Sequence, residues 1–252
     1  IVEVFVCEEL CRSAECDALM RKLAEVRSTE IVHVARNVFE KLAFGARAEG
    51  VVGVAHPPIV SLDDLSRHLG ECAADSHSRL GQPRPCELIA VLEGVEKPGN
   101  MGAVLRSADA AGVSALIVAD GATDLYNPNA IRASLGTIFT LPVCAASSAE
   151  ALTWLQSSKL AIYAARVDAE LEYTAADFIR PSALVLGSEA SGLTDVWRAE
   201  GSGSTSGSTG SASAITPIKL PMLGVADSLN VSAAAAVLFY EALRQRRSAN
   251  VE

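Results

Sequence analysis

Apolar residues along this chain follow two alternating patterns, and their alternation predicts an α/β protein. Short runs rich in β-branched residues are typical of strands, whereas apolar residues spaced three or four positions apart are typical of helices. Residues 1–56 contain these patterns in the order strand, helix, strand, helix, strand. The strand runs are IVEVFV, IVHVA and VVGVA, and the helical runs are SAECDALMRKLAEV and RNVFEKLAF. We predict a small α/β domain in this part of the chain.

The alternation pauses over residues 57–86 and resumes at residue 87. The intervening stretch is rich in proline and polar residues, which favours a linker with one short helix from Leu62 to Leu69. After it come near-continuous apolar runs such as ELIAVLEGV and SALVLGSE, separated by helical segments. Runs of this kind are typical of a parallel sheet covered on both faces. We therefore predict that residues 87–252 form a parallel sheet with helices on both faces, and that the Gly/Ser-rich residues 201–213 form a flexible loop.

Composition adds that the chain can bury a large core. Half of its 252 residues are apolar and 20% are charged, so disorder is not expected. No stretch approaches the roughly 18 uninterrupted apolar residues of a membrane span, and the N-terminus lacks a basic-then-apolar signal pattern. We expect a cytoplasmic protein. Because the sequence opens on IVEVFV without a methionine, we also expect that a leading segment precedes it.

The net charge limits how the chain can bind nucleic acid. A formal charge of −9 argues against a protein that coats nucleic acid, since affinity for phosphate depends on Lys and Arg. A local basic patch remains compatible with this charge. RQRR at residues 244–247 is one candidate, although basic residues near a helix end are also ordinary partners of the helix dipole.

The six cysteines do not form a recognisable metal-binding pattern. They include no CxxC pair and match no histidine spacing, and CEELCRSAEC departs from the cysteine spacing of radical-enzyme iron–sulfur loops. We therefore predict no metal site and expect the cysteines to be buried free thiols.

Polar residues follow three of the predicted strands, where open α/β sheets bind their ligands. After the predicted strand ELIAVLEGV, Asn100 is a candidate helix cap and Arg106 lies about two turns into the helix. An ordinary capped helix also explains this arrangement. After SALVL come Gly187, Ser188 and Glu189. This stretch lacks the Lys-Ser/Thr pair of a phosphate-binding P-loop, and GNMG lacks the glycine spacing of a dinucleotide-binding fold.

The third polar segment, ADSLNVS, begins a long helix that we predict from about Asn230 to Arg247. Asp227 and Ser228 are both candidates to cap it, and a cap needs only one oxygen acceptor. The surplus of polar residues indicates a polar pocket at the helix start. All four histidines precede residue 87, so proton transfer in a catalytic domain here would not use its own imidazole.

In order and spacing, KPGNMGAVLRSADAAG, LVLGSEASGL and IKLPMLGVADSLNVSAAAAVLFYEALRQR resemble the three motifs of the SpoU (TrmH-like) RNA 2′-O-ribose methyltransferases, members of the SPOUT class. The resemblance covers residues 87–247. Residues 1–56 resemble the latter part of the ribosomal-protein-like RNA-binding domain that often precedes such a catalytic domain. The resemblance implies a C-terminal trefoil knot that binds S-adenosylmethionine, a homodimer formed through the knot region, and RNA as the substrate, ribosomal RNA rather than transfer RNA.

The resemblance also implies roles for individual residues. The implied cofactor-binding residues are Gly187, Leu220, Met222, Ser228 and Leu229. The implied catalytic residues are Asn100, Arg106, Glu189, Ser228 and Asn230. Arg106 is the implied proton acceptor in such enzymes, but a guanidinium normally stays charged, so a grip on the target phosphate is the alternative role.

Three other functions remain open at this point. The substrate is transfer RNA in one alternative. In another, the enzyme methylates a base, as other branches of the knotted class do. In the third, the chain is a non-catalytic RNA-binding scaffold with the same fold. Acidic residues outnumber basic ones in both halves of the chain, so RNA contact would come from a local patch, a dimer groove or a leading segment.

Overall fold

The chain divides into two units, Ile1–Pro58 and Ile59–Glu252. The computed structural model describes residues 1–26, 29–44, 49–58, 60–74, 87–198 and 214–249. The Gly/Ser-rich segment 201–213, predicted to be a flexible loop, lies outside the described residues. So does the second half of the predicted linker, from residue 75 to residue 86.

The first unit is a three-stranded sheet with two helices, in the order that the sequence predicted. Strand β1 lies at the centre, parallel to β2 and antiparallel to β3. Helix α1 begins after Ser13, whose hydroxyl accepts a hydrogen bond from the Cys16 amide at 3.2 Å. The elements are β1 Glu3–Val6, α1 Ala14–Ala24, β2 Glu30–His33, α2 Arg36–Leu42 and β3 Val51–Val54.

The expectation that all cysteines are free thiols was wrong for two of them. Cys11 and Cys16 are joined in a disulfide, although free thiols were expected. The cap at Ser13 turns the chain so that the two Cα atoms come within 5.6 Å, a separation that a disulfide spans. Cys7 and Cys144 are buried and free, as expected. Burial raises the pKa of the Cys144 thiol to about 11.

The second unit contains a seven-stranded sheet, and every paired strand in it is parallel to its neighbours, which confirms the predicted parallel sheet. The spatial order is β6-β5-β4-β9-β7-β10-β8. The strands are β4 Leu88–Glu93, β5 Ala115–Ala119, β6 Val143–Ala146, β7 Ala161–Ala165, β8 Leu171–Glu172, β9 Ser182–Leu186 and β10 Ile215–Lys219. The helices are α3 Leu62–Ala74, α4 Pro98–Ala111, α5 Pro128–Ser134, α6 Ser148–Ser157 and α7 Val231–Ala249.

Helices cover both faces of this sheet, again as predicted. Alternate residues of a strand point to opposite faces. Leu88 and Leu92 of β4 therefore belong to one core with α4, α5 and α7, whereas Ile89 and Val91 belong to a second core with α3 and α6. Both faces of the central strands are thus buried, which explains why these segments are apolar at nearly every position.

Helix α3 occupies the first part of the predicted linker. It extends five residues beyond the predicted end at Leu69. Leu65 is fully buried in the core with α6, and the Trp154 indole N–H donates to Ser66 Oγ at 2.8 Å. This helix therefore belongs to the second unit. No helix among the described residues is long and apolar enough to cross a membrane.

Two arginines of the candidate basic patch, RQRR, make contacts within the fold instead. Arg246 is 4% exposed and donates to the carbonyl oxygens of Phe178, Arg180 and Glu87 at 2.7–3.3 Å. Arg244 pairs with Glu241 at 2.7 Å. Arg246 therefore joins α7 to its surroundings and does not form a free surface for RNA, whereas the Arg244 side chain is 62% exposed and pairs within the helix.

Candidate active site

A cavity of about 440 Å³ opens at the carboxyl ends of β7, β9 and β10. Its walls come from the segments that follow these three strands. It contains all five residues expected to bind the cofactor, namely Gly187, Leu220, Met222, Ser228 and Leu229. The volume is within the range of small-molecule sites, about 300–1,000 Å³.

The wall after β9, residues 187–193, is a tight turn that presents backbone groups to the cavity. The Gly192 amide donates to the Ser188 carbonyl at 3.0 Å, and Gly192 adopts a positive φ of 66°. A Cβ atom on Gly187 would collide with the backbone of Gly192 and Leu193. The turn can therefore close only with glycine at position 187.

Glu189, at the tip of this turn, is the centre of a polar cluster. Its Oε1 accepts hydrogen bonds from the side-chain amides of Asn100 at 2.6 Å and Asn230 at 2.5 Å. Lys97 Nζ lies 3.3 Å from its Oε2. The structure thus brings together three of the predicted catalytic residues from three distant parts of the chain.

Asn230 orients its amide through a second contact. Its Oδ1 accepts from the Ser232 amide at 3.0 Å and from the Ser232 hydroxyl at 2.6 Å, so Asn230 caps α7. The prediction that Asp227 or Ser228 supplies this cap was wrong, because the helix begins at Val231. Asn100 likewise is not a cap, since α4 begins at Pro98 and Asn100 lies in its first turn.

A smaller cavity of about 240 Å³ lies on the other side of Glu189. It is lined by residues of the α4 start, including Lys97 and Asn100, and it shares Ser188 and Glu189 with the larger cavity. Glu189 therefore lies where a ligand in one cavity would meet a ligand in the other, and its partner Asn100 lines the smaller cavity.

The remaining two predicted catalytic residues lie outside this hydrogen-bonded cluster. Ser228 lines the larger cavity, and its hydroxyl donates to Asp227 Oδ1 at 3.4 Å. Arg106 is exposed on α4. It is six residues beyond Asn100, which is about 9 Å along a helix axis.

The sequence analysis missed charged residues at a fourth strand end. Arg166 and Asp168 follow β7 and line the larger cavity, with Arg166 Nε 2.9 Å from Asp168 Oδ1. The hydrogen bond from Arg166 lowers the pKa of the Asp168 carboxyl. The motif RVD directly after an apolar run was the available signal. Lys97, the first residue of the first motif, was not assigned a role either. The described ranges contain no group of three or more His, Cys, Asp or Glu that could hold a metal ion.

Comparisons with known proteins agree with this geometry. The model of the SpoU rRNA methylase family matches residues 87–240. A 23S rRNA (uridine(2479)-2′-O)-methyltransferase from Streptomyces viridochromogenes is 36% identical over 60% of this chain and 50% of its own length. A 23S rRNA (guanosine-2′-O-)-methyltransferase RlmB from Pseudomonas syringae pv. tomato is 32% identical over 82% of this chain and 76% of its own length.

A solved structure extends the likeness to the whole chain. The SpoU methyltransferase AviRb from Streptomyces viridochromogenes, in complex with its cofactor AdoMet, is 27% identical, with a TM-score of 0.76. The match covers 98% of this chain and 83% of AviRb. Because the family model spans most of the second unit, where the cavities lie, this chain belongs to the SpoU rRNA methylase family.

Proposed function

We propose that this chain transfers the methyl group of S-adenosylmethionine to a ribose 2′-hydroxyl of ribosomal RNA. The observation that carries this proposal is the position of Glu189, held by Asn100 and Asn230 between the two cavities. The curated relatives from Streptomyces and Pseudomonas are named as 23S ribosomal RNA 2′-O-methyltransferases, which favours ribosomal over transfer RNA.

The larger cavity fits S-adenosylmethionine in size and in chemistry. Leu220, Met222 and Leu229 supply apolar surface for an adenine ring, and the turn at Gly187 supplies backbone hydrogen-bonding groups. Charged groups of Arg166 and Asp168 lie in the same lining and suit the polar ends of the molecule. When bound, the cofactor supplies an electrophilic methyl group on a sulfonium.

The smaller cavity is the corresponding place for the acceptor ribose. Methyl transfer is a displacement in which the ribose oxygen bonds to the methyl carbon as the carbon–sulfur bond breaks, so the chain must align the hydroxyl and accept its proton. The Glu189 carboxylate and the Asn100 amide line this cavity and can orient a hydroxyl, and Glu96, Lys97 and Ser188 belong to the same lining. Arg106 is exposed and charged, which suits contact with an RNA phosphate.

The same proposal includes the trefoil knot, the homodimer and the RNA-binding role of the first unit. In support of the knot, β9 lies between β4 and β7 although it follows both in the chain. In support of the dimer, Leu223 and Val225 on the loop after β10 are fully exposed, and apolar side chains of this kind are commonly covered by a partner. An enzyme of ribosomal RNA would act in the cytoplasm.

A labelled-cofactor experiment tests the reaction. Undermodified ribosomal RNA and transfer RNA are incubated with the protein and methyl-labelled S-adenosylmethionine, and the nucleosides are separated by mass. We expect label on a 2′-O-methyl nucleoside from ribosomal RNA. Glu189→Gln should lower this rate by about 100-fold, since the amide cannot accept the proton. Label in transfer RNA or on a base would support those alternatives, and binding of RNA without any product would support the scaffold.

A further inference from the structure

Glu93 is a buried carboxylate that the proposed reaction does not use. It ends β4 and is 2% exposed. Four groups donate hydrogen bonds to it: the Ser148 hydroxyl at 2.6 Å, the Thr194 amide and hydroxyl both at 2.7 Å, and the Trp197 indole N–H at 2.9 Å. All four donors are neutral, so hydrogen bonds alone compensate the loss of water around this carboxylate.

The donors come from two separate elements. Ser148 is the first residue of α6, which packs on the sheet. Thr194 and Trp197 belong to the segment that leaves the cavity wall, since the wall ends at Leu193. Three of the four hydrogen bonds therefore attach this segment to the end of β4.

Among the described residues, the wall has two other attachments, one at its start and one at its tip. At its start, β9 pairs with β4 and β7 as far as Leu186. Between Leu186 and Thr194, the Glu189 side chain ties the tip of the turn to Asn100 and Asn230. The turn itself is closed by the Gly192–Ser188 hydrogen bond and by the contact between the Ser188 and Ser191 hydroxyls at 2.7 Å. Without an anchor at Thr194, the backbone of the turn would be fixed at one end only, and its tip would be held only through the Glu189 side chain.

We propose that Glu93 is a positioning residue for the cofactor site, acting through Thr194 and Trp197 on the wall formed by residues 187–193. The proposal rests on the proposed function, because it assigns the larger cavity to S-adenosylmethionine. Charge-assisted hydrogen bonds are about twice as strong as neutral ones, which explains the use of a carboxylate here. A glutamine at position 93 would have an NH2 group in place of one carboxylate oxygen. A donor would then face the donors that converge on this site.

The test compares three variants that alter the same set of hydrogen bonds. Glu93→Gln disturbs all four, and Thr194→Val removes the hydroxyl that holds the wall. Ser148→Ala is the matched control, because it removes a hydrogen bond of similar length to the same carboxylate but one that leads to α6. Hydrogen exchange of the cofactor-free protein and calorimetric titration with S-adenosylmethionine are measured for each, well below the unfolding temperature.

We expect Glu93→Gln and Thr194→Val to speed exchange about tenfold in peptides covering residues 187–197, with peptides from β5 and α7 unchanged. The Kd for S-adenosylmethionine should rise about tenfold in both, with kcat at saturating cofactor within about threefold of the wild type. Ser148→Ala should leave exchange of the wall and Kd near the wild-type values.

Three results would overturn the proposal. One is unchanged exchange at residues 187–197 in Glu93→Gln and Thr194→Val, and another is faster exchange throughout the second unit, which would make Glu93 a general stabiliser. The third is an equal effect of Ser148→Ala on Kd. If wild-type protein does not bind S-adenosylmethionine at all, the proposed function fails, while hydrogen exchange still decides whether Glu93 holds the wall.

Discussion

Asn230 contacts two different elements with the two ends of one amide. Its oxygen caps α7 through Ser232, and its nitrogen donates to Glu189. The cap fixes which end of the amide faces the carboxylate. The start of the last helix and the polar cluster are therefore set by the same side chain, and loss of the amide would disturb both.

Gly187 gives the most direct test of the cavity wall. Gly187→Ala places a methyl group against the backbone of Gly192 and Leu193, which cannot move aside without opening the turn. We expect the affinity for S-adenosylmethionine to fall at least about tenfold and the free energy of unfolding to fall by about 1–3 kcal/mol. Calorimetric titration and urea denaturation measure the two effects.

Gly99→Ala is the matched control for this change. A Cβ at Gly99 meets nothing within 4 Å, and the residue lies in the first turn of α4. Alanine is a better helix former than glycine by about 1 kcal/mol, so this variant should be at least as stable as the wild type. Wild-type affinity in Gly187→Ala would mean that the turn does not form the cofactor wall.

Residues of the candidate site could be predicted from the sequence where they follow a recognisable strand. The family resemblance assigned Gly187, Leu220 and Leu229 to one site, and all three line one cavity. The segments that carry them follow parallel strands, whose carboxyl ends meet at one edge of a sheet. The cap of α7 was not predictable, since Asp227, Ser228 and Asn230 are all good caps and only the register of the helix selects one. Glu93 gave no signal, because its partners lie 55–104 residues away.

At the scale of elements, α7 depends on a buried arginine. Arg246→Met keeps an apolar side chain of similar length but removes the donors to three carbonyl oxygens. Because these carbonyls would stay buried without this partner, we expect the free energy of unfolding to fall by about 3 kcal/mol. Urea denaturation measures the change.

The neighbouring arginine provides the comparison. Arg247 is exposed, so Arg247→Met should change the free energy of unfolding by less than about 0.5 kcal/mol. Equal effects of the two substitutions would contradict the structural role of Arg246 and would return RQRR to consideration as a surface patch.

Elements with a clear apolar pattern were predicted, whereas β6, β8 and α5 were missed. The strands β4, β5, β7 and β9 are apolar at nearly every position because both of their faces are covered, and this pattern is visible in the sequence. The strands β6 and β8 have four and two residues, and helix α5 has seven. The equally short β1, β2 and β3 were recognised because they are rich in β-branched residues, whereas the segments VCAA, LE and PNAIRAS contain neither such a run nor a clear helical period.

At the scale of the molecule, the division at residue 58 makes the second unit separable. Both cavities and the polar cluster are formed by residues of Ile59–Glu252. We expect a chain of residues 59–252 to fold and to bind S-adenosylmethionine within about threefold of the full-chain affinity. Circular dichroism and calorimetric titration of the shortened chain measure this.

The first unit should instead matter for RNA. In the proposed function it binds RNA, so the shortened chain should bind ribosomal RNA at least about tenfold more weakly in a filter-binding assay. If RNA affinity is unchanged while cofactor affinity is lost, the roles assigned to the two units are wrong. The first unit ends at Pro58, and the domain predicted from the sequence ends at residue 56. Nothing in the residues of α3 indicated that this helix belongs to the second unit. The apolar side chains of α3 pack in the same core as those of α6, which is distant in the sequence.

The order of the strands also decides when the site can exist during synthesis. Every described residue that lines the larger cavity lies between Ala165 and Ala234, after β4, β5 and β6 in the chain. A nascent chain that ends after β6 contains three strands of the sheet but none of the described residues that line the cavity. The cofactor can therefore stabilise only chains translated to about Ala234 or beyond, and shorter products gain nothing from it.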